Sequence, residues 1–155
     1  EVMTGGSTTL EEIGYIKYLI AHPEKYKNWK NRIFSEKDAK KQAELRRLST
    51  VAEYYIGSAH GIAETGEIVI VSATGSQLGA YAYGARRIIW VAGTQKIVPS
   101  LETAIRRTIE HCYPLEDKHM KKLGYSGSQI GKMLIVNKER SDRITMILVK
   151  EKLGF

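Results

Sequence analysis

Cysteine is almost missing from this chain: 155 residues contain one, Cys112. A single thiol excludes an internal disulfide, and it excludes a four-cysteine zinc or iron–sulfur site built by this chain alone. Long apolar runs are missing too. The longest, at 68–71 and 88–92, reach four or five residues, whereas a membrane-spanning helix needs ~18 or more. Where a secretion signal would carry an apolar stretch, the N-terminus has Thr8, Thr9, Glu11 and Glu12. A cytoplasmic location is therefore the expectation. There is no internal repeat and no low-complexity segment. What remains is an ordinary globular composition, 43% hydrophobic and 26% charged, at a length typical of one domain (~100–200 residues) spanning 1–155.

Charge is uneven. The formal net charge is +7, and most of the excess lies between Glu24 and Arg47, where nine basic residues face four acidic ones. Tyr26, Trp29 and Phe34 interleave with them, a pattern compatible with nucleic-acid binding. The plainer reading is a solvated surface whose lysine stems cover the edge of the core. It is preferred because no recognised nucleic-acid motif accompanies the charge. A small anionic ligand also suits a basic protein.

The pattern of elements predicts an α/β fold. A strand over 1–4 leads through Gly5, Gly6, Ser7, Thr8 and Thr9 into a helix over 9–21. That helix has a Thr8/Glu11 capping box and an apolar face of Leu10, Ile13, Ile16 and Ile20. A second helix is expected from Ser35, capped by Ser35 with Asp38, with Leu45, Leu48 and Ala52 as its stripe. Strands are expected at 54–58, 68–71, 86–92, 132–137 and 144–149, with a turn at Glu64, Thr65, Gly66 and Glu67. A short small-residue helix should end at Gly84 and Pro99 should open another, whose face is Leu101, Ala104, Ile105, Ile109 and Cys112. A last helix over 114–123 stops at Gly124, and the final two strands meet at a charged turn around Ser141, Asp142 and Arg143. Alternating strands and helices imply a mostly parallel, Rossmann-like sheet with helices on both faces, and ligands in such sheets bind at the carboxyl ends of the strands.

Three loops have the chemistry of anion sites. Gly5 to Thr9 offers two glycines for close backbone approach and three hydroxyls at a helix start, more than a helix cap needs. Thr74, Gly75 and Ser76 repeat the theme after a strand. Gly93, with Lys96 three residues on, adds a cation, against the slightly preferred reading of a surface lysine. Glu64 is the candidate catalytic carboxylate, a general base or a nucleophile in an otherwise uncharged stretch, against the plainer reading of an exposed turn residue. His60 is read as packing under that turn. His111, Cys112 and His119 have no metal-ligand spacing, since neighbours on a helix point about 100° apart, so no metal is expected.

The stretches from Gly5 to Gly14, Gly61 to Val69, Gly84 to Lys96 and Leu148 to Phe155 resemble the LUD (lactate utilisation) domain family, in order and over essentially the whole chain. The resemblance implies a fold akin to ribose-5-phosphate isomerase, glucosamine-6-phosphate deaminase and the CoA-transferases, in which a Gly/Ser/Thr loop after the first strand holds phosphate. Glu64, Thr65 and Gly66 are similar to the Glu-Asn-Gly of CoA-transferases, whose glutamate is the nucleophile, with threonine replacing asparagine. The isomerases' acidic motif is not visible. Family members commonly carry a further strand–helix segment ahead of the Gly-Gly-Ser motif, which implies a trimmed N-terminus here. Some carry a cysteine cluster near the C-terminal part, where 121–132 of this chain has none. The resemblance therefore implies the stand-alone subunit type, an accessory in the oxidation of L-lactate to pyruvate, with no cofactor bound by this chain and iron–sulfur clusters on partner proteins. The alternative is a stand-alone enzyme for a small phosphorylated, CoA-linked or carboxylate substrate with Glu64 as its base or nucleophile; nucleic-acid binding ranks third.

Overall fold

The computed structural model describes residues 1–139 and 142–155. Four parallel strands form sheet A: β1 (Val2–Thr4), β2 (Tyr54–Gly57), β5 (Arg87–Gly93) and β8 (Ile144–Val149), side by side in that order. Residues alternate across it as a pleated strand requires. Val2, Ile56 and Val91 point to one face, where Leu10 and Leu19 pack on them. Met3, Tyr55, Ile88, Trp90 and Met146 point to the other. Tyr81 meets Tyr55 and Trp90 edge-on there, at centroid distances of 5.1 and 5.3 Å, a geometry that contributes about 0.5–1.5 kcal/mol per pair beyond burial.

The first face is covered by α1 (Thr8–Glu12) and α2 (Tyr15–Ala21). The second is covered by a wide, π-type helical segment, Ala80–Gly84, and by a second sheet. Sheet B is mixed. Its strands β3 (Gly61–Ala63) and β4 (Ile68–Ser72) form an antiparallel hairpin, β6 (Ile97–Val98) runs parallel to β3, and β7 (Lys132–Val136) runs antiparallel to β4. The α/β class and the parallel sheet thus match the alternation of elements, while the hairpin and its sheet were not legible in it. The two last strands, adjacent in sequence, join different sheets. Of the charged turn between them, Ser141 lies outside the described residues, and Arg143 donates to the carbonyls of Ala80, Tyr81 and Ala85, holding the wide segment in place.

Several helix details differ from the sequence pattern. The expected 9–21 helix is two helices, because Gly14 sits at φ 76° between them, a left-handed conformation that glycine adopts without steric penalty. The break changes the phase, so Leu19 is buried (1% exposed) and Ile20 is not (61%). Ser7, not Thr8, is the cap: its Oγ accepts from Leu10 N–H at 3.3 Å. Ser35 ends a helix, α3 (Trp29–Ser35), instead of starting one, and Asp38 alone caps α4 (Ala39–Leu48) by accepting from Lys40 and Lys41 N–H. Helix α4 buries no residue and Leu48 is exposed; the turn at Ser49–Val51 carries Ala52 into the core instead. Beyond Pro99, Ser100 is the cap of α5 (Leu101–Arg107), which runs through a second π-type turn, Thr108–Cys112, into α6 (Tyr113–Lys122). Pro114 lacks the N–H for the carbonyl of Glu110, and its ring crowds that carbonyl, so the wide turn takes up the misfit. The resulting shift buries Ala104, Thr108 and Cys112 and leaves Ile109 exposed.

Candidate functional site

Parallel strands deliver their carboxyl ends to one edge, so the segments after β1, β2, β5 and β8 converge. They enclose a cavity of about 230 Å³. Gly6, Ser7, Thr8 and Thr9 enter it after β1, Ser58 to His60 after β2, Lys96 after β5, and Phe155 after β8. Glu116 and Met120 of α6 supply a further wall, as do Tyr81 and Cys112, which lie on the two wide helical turns. Such turns recur at functional sites because the widened backbone re-aims a side chain.

Lys96 is the centre of this arrangement. Its side chain is buried, 3% exposed, and its Nζ donates to Thr9 Oγ1 and Ser58 Oγ, both at 3.1 Å. Among the described residues no carboxylate pairs with it. Burial therefore dominates its titration and brings the ammonium down to about 8, with Arg107 adding to the effect while Cys112 and Glu12 oppose it. An unpaired buried cation is expensive unless a ligand completes it. Lys30 approaches from behind, donating to the carbonyl of Gly5 at 3.2 Å.

His60 is neutral. Burial first, then Lys96 and Arg107, push it down to about 4. Val71 N–H donates to its Nδ1 at 3.3 Å, which assigns the ring proton to Nε2. Arg107 anchors the segment by donating to the carbonyl of His60 and to Cys112 Sγ. Burial raises both the Cys112 thiol and the Glu116 carboxyl, so the cavity holds a weakened cation, a neutral imidazole, a thiol and a carboxyl shifted upward.

The C-terminal tail closes the rim. The carbonyl of Leu153 accepts from Gln95 Nε2 at 2.7 Å and from Thr9 Oγ1 at 3.4 Å, and Gly154 N–H donates to Glu12 Oε2 at 2.7 Å. Gly154 has φ +62°, and a Cβ there would stand 2.3 Å from Thr9 Oγ1 and 3.3 Å from Lys96 Nζ. Only glycine passes so close to the lysine.

Of the residues singled out from the sequence, Gly6, Ser7, Thr8, Thr9 and Lys96 meet in this cavity. Gly5 lies just beneath, where a Cβ would stand 2.9 Å from Gln77 Oε1, and Gly93 is pressed against the tail, where a Cβ would come within 2.4 Å of the Glu151 carbonyl. Thr74, Gly75 and Ser76 form a turn beside the cavity, to which Ser72, Ala73 and Gln77 contribute instead. Glu64, Thr65 and Gly66 are exposed at the tip of the β3–β4 hairpin and do not line the cavity. Strand β3 leaves the rim at His60, and ~3.3 Å per residue carries the tip about 13 Å away. Sequence reasoning missed Ser58, Glu116 and Phe155, whose signal exists only in three dimensions. His60, read as packing, lies in the cavity wall.

Among the described residues no helix is long and apolar enough to cross a membrane. No curated protein and no solved structure matches the chain significantly. The family model of the LUD domain matches residues 1–154, essentially the whole length, and the protein belongs to the LUD domain family.

Proposed function

We propose that the cavity binds a small organic acid through Lys96, and that the chain serves as a LUD-type subunit in the oxidation of L-lactate to pyruvate alongside separate iron–sulfur proteins. The observation that carries anion binding is the buried ammonium of Lys96, held by two neutral hydroxyls with no carboxylate partner among the described residues. A ligand carboxylate supplies the missing charge. The Nε2–H of neutral His60 is a donor for a 2-oxygen, and Tyr81 and Phe155 add apolar wall to the cavity. Family membership supports the choice of a 2-hydroxy acid.

Iron–sulfur chemistry does not fit this chain's own donors. One buried cysteine does not make a cluster site, and among the described residues no group of three His, Cys, Asp or Glu is gathered as metal ligands. No electron-transfer step is assigned to it. A phosphorylated or CoA-linked substrate is the second reading, because the same lysine serves phosphate. In that case the acid–base group beside the ligand is Glu116, since Glu64 stands outside the cavity.

Titration calorimetry with L-lactate, pyruvate and inorganic phosphate tests the reading. Binding of the organic acids, weakened about ten- to a hundredfold in Lys96→Met, is expected, and cells lacking the protein should lose growth on L-lactate. Absence of heat with all three ligands at millimolar concentration overturns it, and binding of phosphate alone moves the assignment to the second reading.

A further inference from the structure

Electrostatic binding does not by itself call for a lysine buried as this one is. An arginine would hold a carboxylate with two parallel hydrogen bonds and would keep its charge. Lys96 instead presents a compact amine whose three N–H directions are only partly used: among the described residues Thr9 Oγ1 and Ser58 Oγ take two. On balance its surroundings favour the uncharged form more than an ordinary lysine's do. It is 3% exposed, Arg107 lies close by, and His60 is neutral and offers no compensation. The groups that pull the other way, Cys112 and Glu12, are outweighed by burial. A neutral amine is a nucleophile toward carbonyl carbon. The neighbouring nucleophile, Cys112, is kept as a thiol by the same burial and is tied to Arg107.

We infer that Lys96 condenses with the carbonyl group of a small 2-oxo acid held in the cavity, forming an imine through its Nζ. The inference rests on the proposed binding of an organic acid at this lysine. In the reaction Nζ adds to the carbonyl carbon, and the carbonyl oxygen takes up protons and departs as one water molecule. The neutral amine gives up one of its two hydrogens, which with one further proton leaves as water, so a protonated imine remains and nothing is oxidised or reduced. Glu116 lines the same cavity and is the carboxyl there that can relay a proton from nitrogen to the departing oxygen. The ligand class follows from charge. A protonated imine retains the positive charge one bond from the carbon that carries the carboxylate, so a 2-oxo acid brings the counter-ion that Lys96 lacks. A plain aldehyde or ketone brings none. Ser7 and Thr8, at the opening of the cavity, offer hydroxyls for the remaining carboxylate oxygen.

Borohydride trapping tests this on the whole chain. The protein is incubated with pyruvate and sodium cyanoborohydride, then measured by intact mass and peptide mapping. One reduced pyruvate adduct per chain, located on Lys96, is expected. At pH 7.5 an amine titrating at about 8 is neutral about two hundredfold more often than an ordinary lysine near ~10.4, and since a less basic amine is also a weaker nucleophile, Lys96 should label roughly tenfold faster than any surface lysine. L-lactate, which has the carboxylate without the carbonyl, should slow the labelling, and Lys96→Arg should abolish it. Adducts confined to surface lysines, or unchanged in Lys96→Arg, overturn the inference. The peptide map of the unsubstituted protein decides it even if that variant fails to fold. Calorimetric binding of pyruvate without an adduct on Lys96 removes the imine and leaves organic-acid binding intact; absence of both removes the two together.

Discussion

The rim around Lys96 and the tip of the β3–β4 hairpin have similar vocabularies in sequence: glycine, threonine and one charged side chain after a strand. In the folded chain they differ completely. Thr9 is 1% exposed and Lys96 3%, while Glu64, Thr65 and Gly66 are open to solvent. The difference is strand direction. A loop that follows a parallel strand of sheet A comes out at the shared carboxyl edge, whereas the turn of an antiparallel hairpin comes out at the opposite end from where the hairpin entered. Residue type proposes a site, and topology decides whether the residues meet.

This contrast can be tested most strongly through pH. His60 titrates at about 4 in the folded protein, below the ordinary ~6.5, so the unfolded chain takes up the proton first as pH falls. Its stabilising neutrality is complete above ~6.5 and is lost progressively between there and about 4, a change of about 3 kcal/mol. Denaturant melts at pH 7 and pH 4 should show that loss, and His60→Gln should reduce it; Glu64→Gln should leave it as it is. An equal pH response in His60→Gln would separate the imidazole from acid instability.

Lys96→Met should act in two opposite directions. Loss of a charge-assisted contact of about 1.5–3 kcal/mol lowers organic-acid affinity by about ten- to a hundredfold. Because the folded lysine titrates below its unfolded value, the charge is a penalty at neutral pH, and its removal should raise the melting temperature, less whatever the two hydroxyl contacts contributed. A variant that binds normally, or melts early, contradicts the role given to this side chain. Next, Gly154→Ala forces a Cβ against Thr9 and an unfavourable φ. About 1 kcal/mol of strain should lift the tail and weaken binding about fivefold. Gly66→Ala, with φ +110° but open space, should lower stability while affinity measured by calorimetry stays constant. Smallest of all, Glu64→Gln should alter affinity by less than about twofold, since exposed surface substitutions are worth about 0.5 kcal/mol or less; a large loss would bring the hairpin tip back into the site.

Much of the architecture was legible in local patterns. The strand at 144–149, the hairpin turn at Gly66 and the alternation behind sheet A follow from period-two hydrophobicity and turn chemistry. Helix phase was less so. Gly14 and Pro114 each disturb a helical period, so Ile20 and Ile109, in step with the sequence, ended outside. Of the candidate site, the Gly6–Thr9 segment was visible because two glycines and three hydroxyls exceed what a helix cap needs, while Lys96 stood out only as a cation after a strand, with a surface lysine the plainer reading. Ser58, Glu116 and Phe155 were not, because each is unremarkable in its own neighbourhood and gains meaning from partners far along the chain.

The sequence by itself determined the α/β class, the parallel strands and the presence of an oxygen-rich loop with a lysine nearby, since these depend on period, propensity and residue chemistry within a few positions. Only the tertiary structure decided that Lys96 is buried with no carboxylate pairing it among the described residues, that the tail at Gly154 passes against it and that Glu64 stands apart. Burial and charge pairing arise from the packing of segments up to 144 residues apart, and no local pattern encodes which of them will meet.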